Sequence, residues 1–391
     1  MWNSDNEMKQ DIRNESNALR SAFGAHSLVQ AAERLAPWFR ENARSMPWRD
    51  SPTAYHVWVS EIMLQQTRVD TVIPYYGRFI DALPDTAALS ACSEDRLLKL
   101  WEGLGYYSRV RNLQKAARIV EETYGGRIPE TKEELLALPG IGLYTAGAIL
   151  SIAYEQPVPV VDGNVLRVVS RILCDPSDIS LPETKDTYYA LLEETVKEAA
   201  SGISPRIFNQ SLMELGALVC VPNGEPKCTE CPVREICTAR LLERTSEIPV
   251  RTPKKARKTR EITVLVIFDG TYRMLVKNSE KGLLSRLYGY PVLPGHASCE
   301  ASRKAAAEWG FSVTEMIPLP ERKHIFTHVE WHMTAWLVRV MPGSPYCTDG
   351  PDSPGLYEGL IPADRKALES EFALPGAFRR WDDELKELIG E

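Results

Sequence analysis

The chain reads as a multidomain protein, an all-α body followed by an α+β domain, and three observations predict that order. Apolar residues recur at three- and four-residue spacing from Ser27 to about Ala239, the period of helices packed on one another. A charged stretch carrying Pro249 and Pro253 then interrupts the pattern. Beyond it, β-branched and aromatic runs alternate with turn residues, as strands require.

Taken in order, residues 1–27 form a polar tail. MWNSDNEMKQDIRNESN lacks the apolar core of a signal peptide. Residues 28–239 carry the amphipathic segments LVQAAERLAPWFREN, ALSACSEDRLLKLWEGL, RVRNLQKAARIVEETYG and KDTYYALLEETVKEAA, parted by short Pro, Gly and Asp breaks. Residues 240–260 are a basic linker in which Arg251, Lys254, Lys255, Arg257, Lys258 and Arg260 crowd together. From 261 to 391, EITVLVIFDG, YRMLVKN and HIFTHVEWHMTAWLVRV read as strands, with helical inserts at SCEASRKAAAEWG and DRKALESEFA.

A length of 391 residues with 44% apolar and 25% charged side chains allows two or three cores. No apolar run reaches membrane-spanning length, so no membrane partner is expected. The net charge of −7 argues mildly against nucleic acid, yet a binding face needs only local positive charge. Arg251 to Arg260 is either such a face or a solvated linker.

Four motifs carry chemistry. In LPGIGLYTA, Gly140 and Gly142 permit backbone conformations barred to other residues and leave amides bare at the start of a helix. That arrangement grips a phosphate, unless it is only a packing corner between helices. Glu61 sits in the apolar run VWVSEIML, where poor hydration would hold a proton on a carboxyl near neutral pH. It could equally lie on a solvent-facing stripe with Ser60 and Gln65. Asp162 in VVDGNV is placed to cap the next helix. Beside Glu61 it would instead supply the second carboxylate of glycoside cleavage. Finally, Cys220, Cys228, Cys231 and Cys237 read C-x7-C-x2-C-x5-C, a spacing for zinc or an iron–sulfur cluster, as staple or electron carrier.

Together these elements resemble the helix-hairpin-helix DNA glycosylase superfamily and, in detail, adenine DNA glycosylases of the MutY type. The resemblance runs from about Ala32 to the final strands. It is carried by MPWRDSPTAYHVWVSEIMLQQTRVDTVIPYY, GLGYYSRVRNL, LPGIGLYTAGAI, PVVDGNVLRVVSRI and NQSLMELGALVC. It implies a helix-hairpin-helix body with an iron–sulfur loop at 220–237 and a Nudix-like (MutT-like) C-terminal domain. By position, Glu61 resembles the acid that protonates an extruded adenine at N7, and Asp162 the carboxylate that steadies the oxocarbenium-like sugar. Asn164 and Tyr144 assist at that site. The related endonuclease III branch has Lys where Tyr144 stands, so no Schiff base and no strand cleavage are expected.

The same resemblance gives Gln66 and Tyr106 the task of wedging into the duplex, and lays Arg44, Met46, Trp48 and Arg49 against the adenine and its damaged partner. It implies one 4Fe-4S cluster on the four cysteines, and reading of 8-oxoguanine by Phe326, Thr327 and His328, which by themselves are ordinary strand content. The expected partner is double-stranded DNA bearing A:8-oxoguanine or A:G mispairs, met by a monomer in the bacterial cytoplasm at the nucleoid. Two rivals are a bifunctional endonuclease III-like glycosylase/lyase and a non-catalytic iron–sulfur DNA-binding protein. SCEASRKAAAEWG has no acidic cluster for magnesium, so no pyrophosphatase activity is expected. The chain departs from the pattern with seven residues between the first two cluster cysteines where six are usual. Thr327 replaces the common Ser, and Tyr288, Gly289 and Tyr290 replace a typical Trp, Glu and Phe.

Overall fold

The computed structural model describes residues 24–253, 256–279, 282–342 and 359–390. The chain divides into two compact units, Met1–Ala91 with Arg111–Pro253, and Cys92–Val110 with Lys254–Glu391. Most of the tail expected at 1–27, and Lys254, Lys255 and Cys347, lie outside the described residues, while 24–27 are already helical. No helix among the described residues is long and apolar enough to cross a membrane.

The first unit is helical because its apolar residues fall on single helix faces. Leu28, Ala31 and Leu35 share a face of the helix at 24–42 and join one core with Val165, Val169 and Ile172. Tyr188, Leu192, Phe208, Leu212 and Leu215 complete that core from the helices Pro182–Ala199 and Pro205–Leu218. Each such side chain contributes about 1.5–3 kcal/mol on burial, so the start of the helix Gly163–Leu173 is firmly anchored. The helix Ala54–Leu64 buries Val57, Trp58, Val59, Ile62 and Met63, apolar nearly all round as a core helix must be. Thr53 caps it by accepting from the His56 amide.

Between the helices Lys132–Ala137 and Leu143–Ala148 runs the glycine hairpin. Gly140 has φ +81°, and a Cβ there would stand 2.8 Å from the Asn112 Cβ, so both conformation and space demand glycine. Position 142 differs from expectation. Its φ of −105° is open to any residue, and an added Cβ would meet nothing. One left-handed residue suffices to reverse the chain, and Gly142 serves only to keep the helix start bare.

The stretch 244–252, within the segment expected as linker, packs back on the first unit. Ile248 is buried, its carbonyl accepts from Arg171 Nε at 2.7 Å, and the Thr252 amide donates to Asp178 at 2.9 Å.

In the second unit β1 (Lys258–Phe268) lies at the centre of a seven-stranded sheet. It pairs parallel with β6 (Val329–Val340), and antiparallel with β2 (Arg273–Lys277) and β4 (Val292–Pro294). β2 carries β3 (Tyr288–Gly289) and β7 (Leu360–Ala363), and β6 carries β5 (Val313–Ile325). The helix Cys299–Glu308 packs Ala306 against Leu265, Ile267 and Val338.

HIFTHVEWHMTAWLVRV is therefore a hairpin and not one strand. Phe326, Thr327 and His328 occupy its turn, closed by the Phe326 amide donating to the Val329 carbonyl at 2.9 Å. β5 reaches back through Pro318 and Pro320, which the sequence reading left out of any strand. An edge strand tolerates their missing donors, and the register slips between Leu319 and Arg322. Cys92–Val110 joins this unit through Lys99 Nζ, which donates to the Leu368 carbonyl at 2.7 Å, and Glu102, which accepts from Arg379 at 2.7 Å.

Candidate active site

A cleft opens in the first unit, and eight of the site residues expected from sequence line it: Arg44, Met46, Trp48, Arg49, Glu61, Tyr144, Asp162 and Asn164. Three elements deliver the acid chemistry. The core helix Ala54–Leu64 holds Glu61 at 6% exposure, which favours the buried reading over the solvent stripe. The hairpin's second helix brings Tyr144, whose hydroxyl donates to Glu61 Oε2 at 2.6 Å. The turn before Gly163–Leu173 brings Asp162.

Burial pushes the Glu61 carboxyl up to about 7, against a pull from the Tyr144 hydrogen bond, with a further push from Asp162 and a pull from Arg49. A carboxyl balanced there can give up a proton at neutral pH. Tyr144 stays a phenol, because burial and the adjoining Glu61 drive its pKa far above the usual value.

Asp162 is both cap and cleft residue. Oδ1 accepts from the Asn164 and Val165 amides at 2.9 and 2.7 Å, and Oδ2 accepts from Asn164 Nδ2 at 2.7 Å. Burial raises its pKa while these hydrogen bonds oppose the rise. The carboxylate also stands on the positive end of the helix, which favours its charged form. Asn164 is fixed in turn. Arg167 donates to Asn164 Oδ1 and to the Gly216 carbonyl, each at 2.8 Å, and to the Cys220 carbonyl at 2.7 Å. The two helices touch there, since a Cβ on Gly216 would stand 2.5 Å from the Asn164 Cβ.

The opposite wall comes from Pro205–Leu218, whose Gln210, Met213, Glu214 and Ala217 face the cleft at helical spacing. Sequence reasoning marked NQSLMELGALVC only as a family signature and assigned none of these. Glu214 accepts from the Arg44 amide at 2.9 Å, from Arg44 Nε and Nη2 at 2.8 and 3.1 Å, and from Arg49 Nη2 at 2.9 Å. Burial pushes its pKa up, but these donors prevail and hold it at about 2. A lone carboxylate inside an apolar helix, the sign that exposed Glu61, was equally present at Glu214.

The remaining expected residues are not among those that line the cleft. Gln66 follows the helix Ala54–Leu64 with φ +59° and is exposed. In the second unit Tyr106, at φ +49° and 43% exposed, accepts from the Thr327 hydroxyl at 3.0 Å and lies under the Arg109 guanidinium. Phe326 packs on Trp331 at 4.9 Å, while Thr327 and His328 are exposed. Tyr288 and Tyr290 are buried, Tyr288 against Phe372 at 4.7 Å and Tyr290 beside Phe378 at 6.0 Å, so neither is presented on the surface.

All four clustered cysteines line a second pocket with Arg171, Arg234 and Arg240. The loop after the first of these cysteines returns through the Lys227 amide, which donates to the Val219 carbonyl at 3.0 Å. Among the described residues no group of three sits close enough to share one metal ion. Four thiols on one pocket are the donor type that zinc or an iron–sulfur cluster takes. Arg171 Nη1 donates to Cys220 Sγ at 3.2 Å, the kind of hydrogen bond that supports a ligating thiolate.

Residues 59–198 match the family described as HhH-GPD superfamily base excision DNA repair protein. An adenine DNA glycosylase of Mus musculus is 45% identical over 214 residues, covering 52% of this chain and 41% of its own length. The chain thus spans less than half of that relative. One of Buchnera aphidicola subsp. Acyrthosiphon pisum is 34% identical over 313 residues, covering 80% of this chain and 86% of the relative. The solved structure of a thermostable thymine-DNA glycosylase covers 58% of this chain and 99% of its own, with 25% identity and a TM-score of 0.49.

Proposed function

The chain belongs to the adenine DNA glycosylase family, and on that premise we propose that it removes adenine mispaired with 8-oxoguanine, and with guanine, from duplex DNA. One observation carries the reading: a protonatable Glu61 and a hydrogen-bonded Asp162 line the same cleft. Glu61 gives its proton to the ring nitrogen of the extruded adenine, and the bond from the sugar to the base breaks with its electrons staying on the base. Asp162 faces the cationic sugar that remains until water adds. The base leaves a stacked duplex at a cost of a few kcal/mol, which Gln66 and Tyr106 offset by filling the gap.

Arg44, Met46, Trp48 and Arg49 form the adenine's surroundings, and the bare amides after Gly140 and Gly142 take a backbone phosphate. Phe326, Thr327 and His328 face the opposing base. With Tyr144 where a lyase would need Lys, the reaction stops at the abasic site. Cys220, Cys228, Cys231 and Cys237 hold one 4Fe-4S cluster, which when bound cross-links the 220–237 loop. The setting is the bacterial nucleoid, met as a monomer.

Incubation with a labelled A:8-oxoguanine duplex tests the reading. It predicts free adenine, strand scission only after alkali, and no adduct trapped by borohydride. A trapped adduct favours the lyase, and an untouched duplex favours a binding protein.

A further inference from the structure

Glu214 is built like a working part yet has no place in the chemistry above. Its side chain is 1% exposed and accepts four N–H donors, from Arg44 and from Arg49 of the short helix Pro47–Asp50. A buried carboxylate so fully engaged is set for one geometry, and removing its charge leaves the cations uncompensated.

The positions of those cations matter because the cleft holds other carboxylates. Glu61 is faced by Tyr144 from the hairpin helix, by Asp162 from the cap of Gly163–Leu173, and by Arg49 from the short helix Pro47–Asp50. Arg44 and Glu214 complete the charged lining. Arg49, only 16% exposed, is tied at two points: Nη2 to Glu214 and Nη1 to the Arg44 carbonyl, both at 2.9 Å. Glu61 and Asp162 are the other carboxylates in that lining, so a released guanidinium turns toward them.

We propose that Glu214 is a positioning residue that restrains Arg49 and so keeps a cation off the proton-donating Glu61. The inference rests on the acid role given to Glu61 above. An acid works only while it holds its proton, and a positive charge brought closer favours the carboxylate. The restraint thereby decides how far up the pH scale the enzyme stays active, without Glu214 touching the substrate.

The test is the pH dependence of kcat/KM for adenine release, measured for the wild type, Glu214→Gln, Glu214→Asp and Arg49→Gln. Glu214→Gln frees Arg49, and its alkaline limb should move down by about one pH unit, a roughly tenfold loss above the old midpoint. Glu214→Asp keeps the charge and should hold the midpoint close to that of the wild type. Arg49→Gln removes the cation itself, so its midpoint should rise. A Glu214→Gln loss equal at every pH, with the midpoint fixed, makes the residue purely structural and overturns the proposal. Should that variant not fold, Arg49→Gln is compared with the double variant Arg49→Gln/Glu214→Gln: equal midpoints uphold an action of Glu214 through Arg49, and a midpoint that still falls in the double variant overturns it. Wild-type protein that releases no adenine at any pH would sink the proposed function instead, so the two failures are distinguishable.

Discussion

Tyr144→Phe removes a single hydroxyl, the one that donates to Glu61 Oε2 at 2.6 Å. A hydrogen bond to a charged acceptor is worth about 1.5–3 kcal/mol, or about one to two pH units of a carboxyl's pKa. The bond favours the carboxylate, so its loss moves Glu61 up from about 7. At pH 9 a carboxyl of pKa about 7 is roughly 1% protonated, whereas one at 8 to 9 is about 10–50% protonated. The ratio of excision rate at pH 9 to that at pH 7 should therefore rise about 5- to 25-fold in the variant. Using a ratio cancels any uniform loss from poorer packing or from a weaker acid. Quenched single-turnover assays under saturating enzyme supply both rates. A ratio that stays put or falls refutes the reasoning, because Tyr144 would then not be restraining the proton on Glu61.

Glu61→Gln probes the same proton through stability. Burial raises this carboxyl from 4.5 to about 7, so its stabilising share is complete below 4.5 and lost as pH climbs through about 7. The neutral amide escapes that loss, and the melting advantage of Glu61→Gln over wild type should grow between pH 5 and pH 8 by up to about 3 kcal/mol; an advantage independent of pH contradicts a buried, titrating Glu61. In the hairpin, Gly140→Ala meets Asn112 at a left-handed position and should cost about 1–3 kcal/mol in thermal unfolding. Gly142→Ala should be nearly neutral in the same measurement, and equal costs would undo the distinction between the two glycines.

What the sequence made legible was local. Glu61 stood out because a carboxylate interrupts an apolar run, and the cysteines because four thiols fall within one loop. Asp162 was legible as a cap, with a second duty expected only beside Glu61, and the fold sets Tyr144 and Glu61 in the cleft that Asp162 lines. The Arg44–Glu214 pair joins residues 170 apart, and Tyr106 with Thr327 joins residues 221 apart. No periodicity signals such partners, because side-chain pairing depends on how whole elements pack. β5 was hidden by Pro318 and Pro320, which a propensity argument sets against strands and an edge position tolerates. Gly142 misled in the other direction, since a paired glycine motif suggests two special conformations where the turn uses one.

Asp162→Asn is the most direct measurement of the central claim, that two acidic groups in one cleft act on one nucleotide. The amide preserves the size of the cap and loses the charge that would face a cationic sugar. Binding of an A:8-oxoguanine duplex should persist within a few-fold, while single-turnover release of adenine should fall by at least about a thousandfold, a barrier increase of about 4 kcal/mol. Release at near wild-type rate by a variant that binds normally would contradict the assignment.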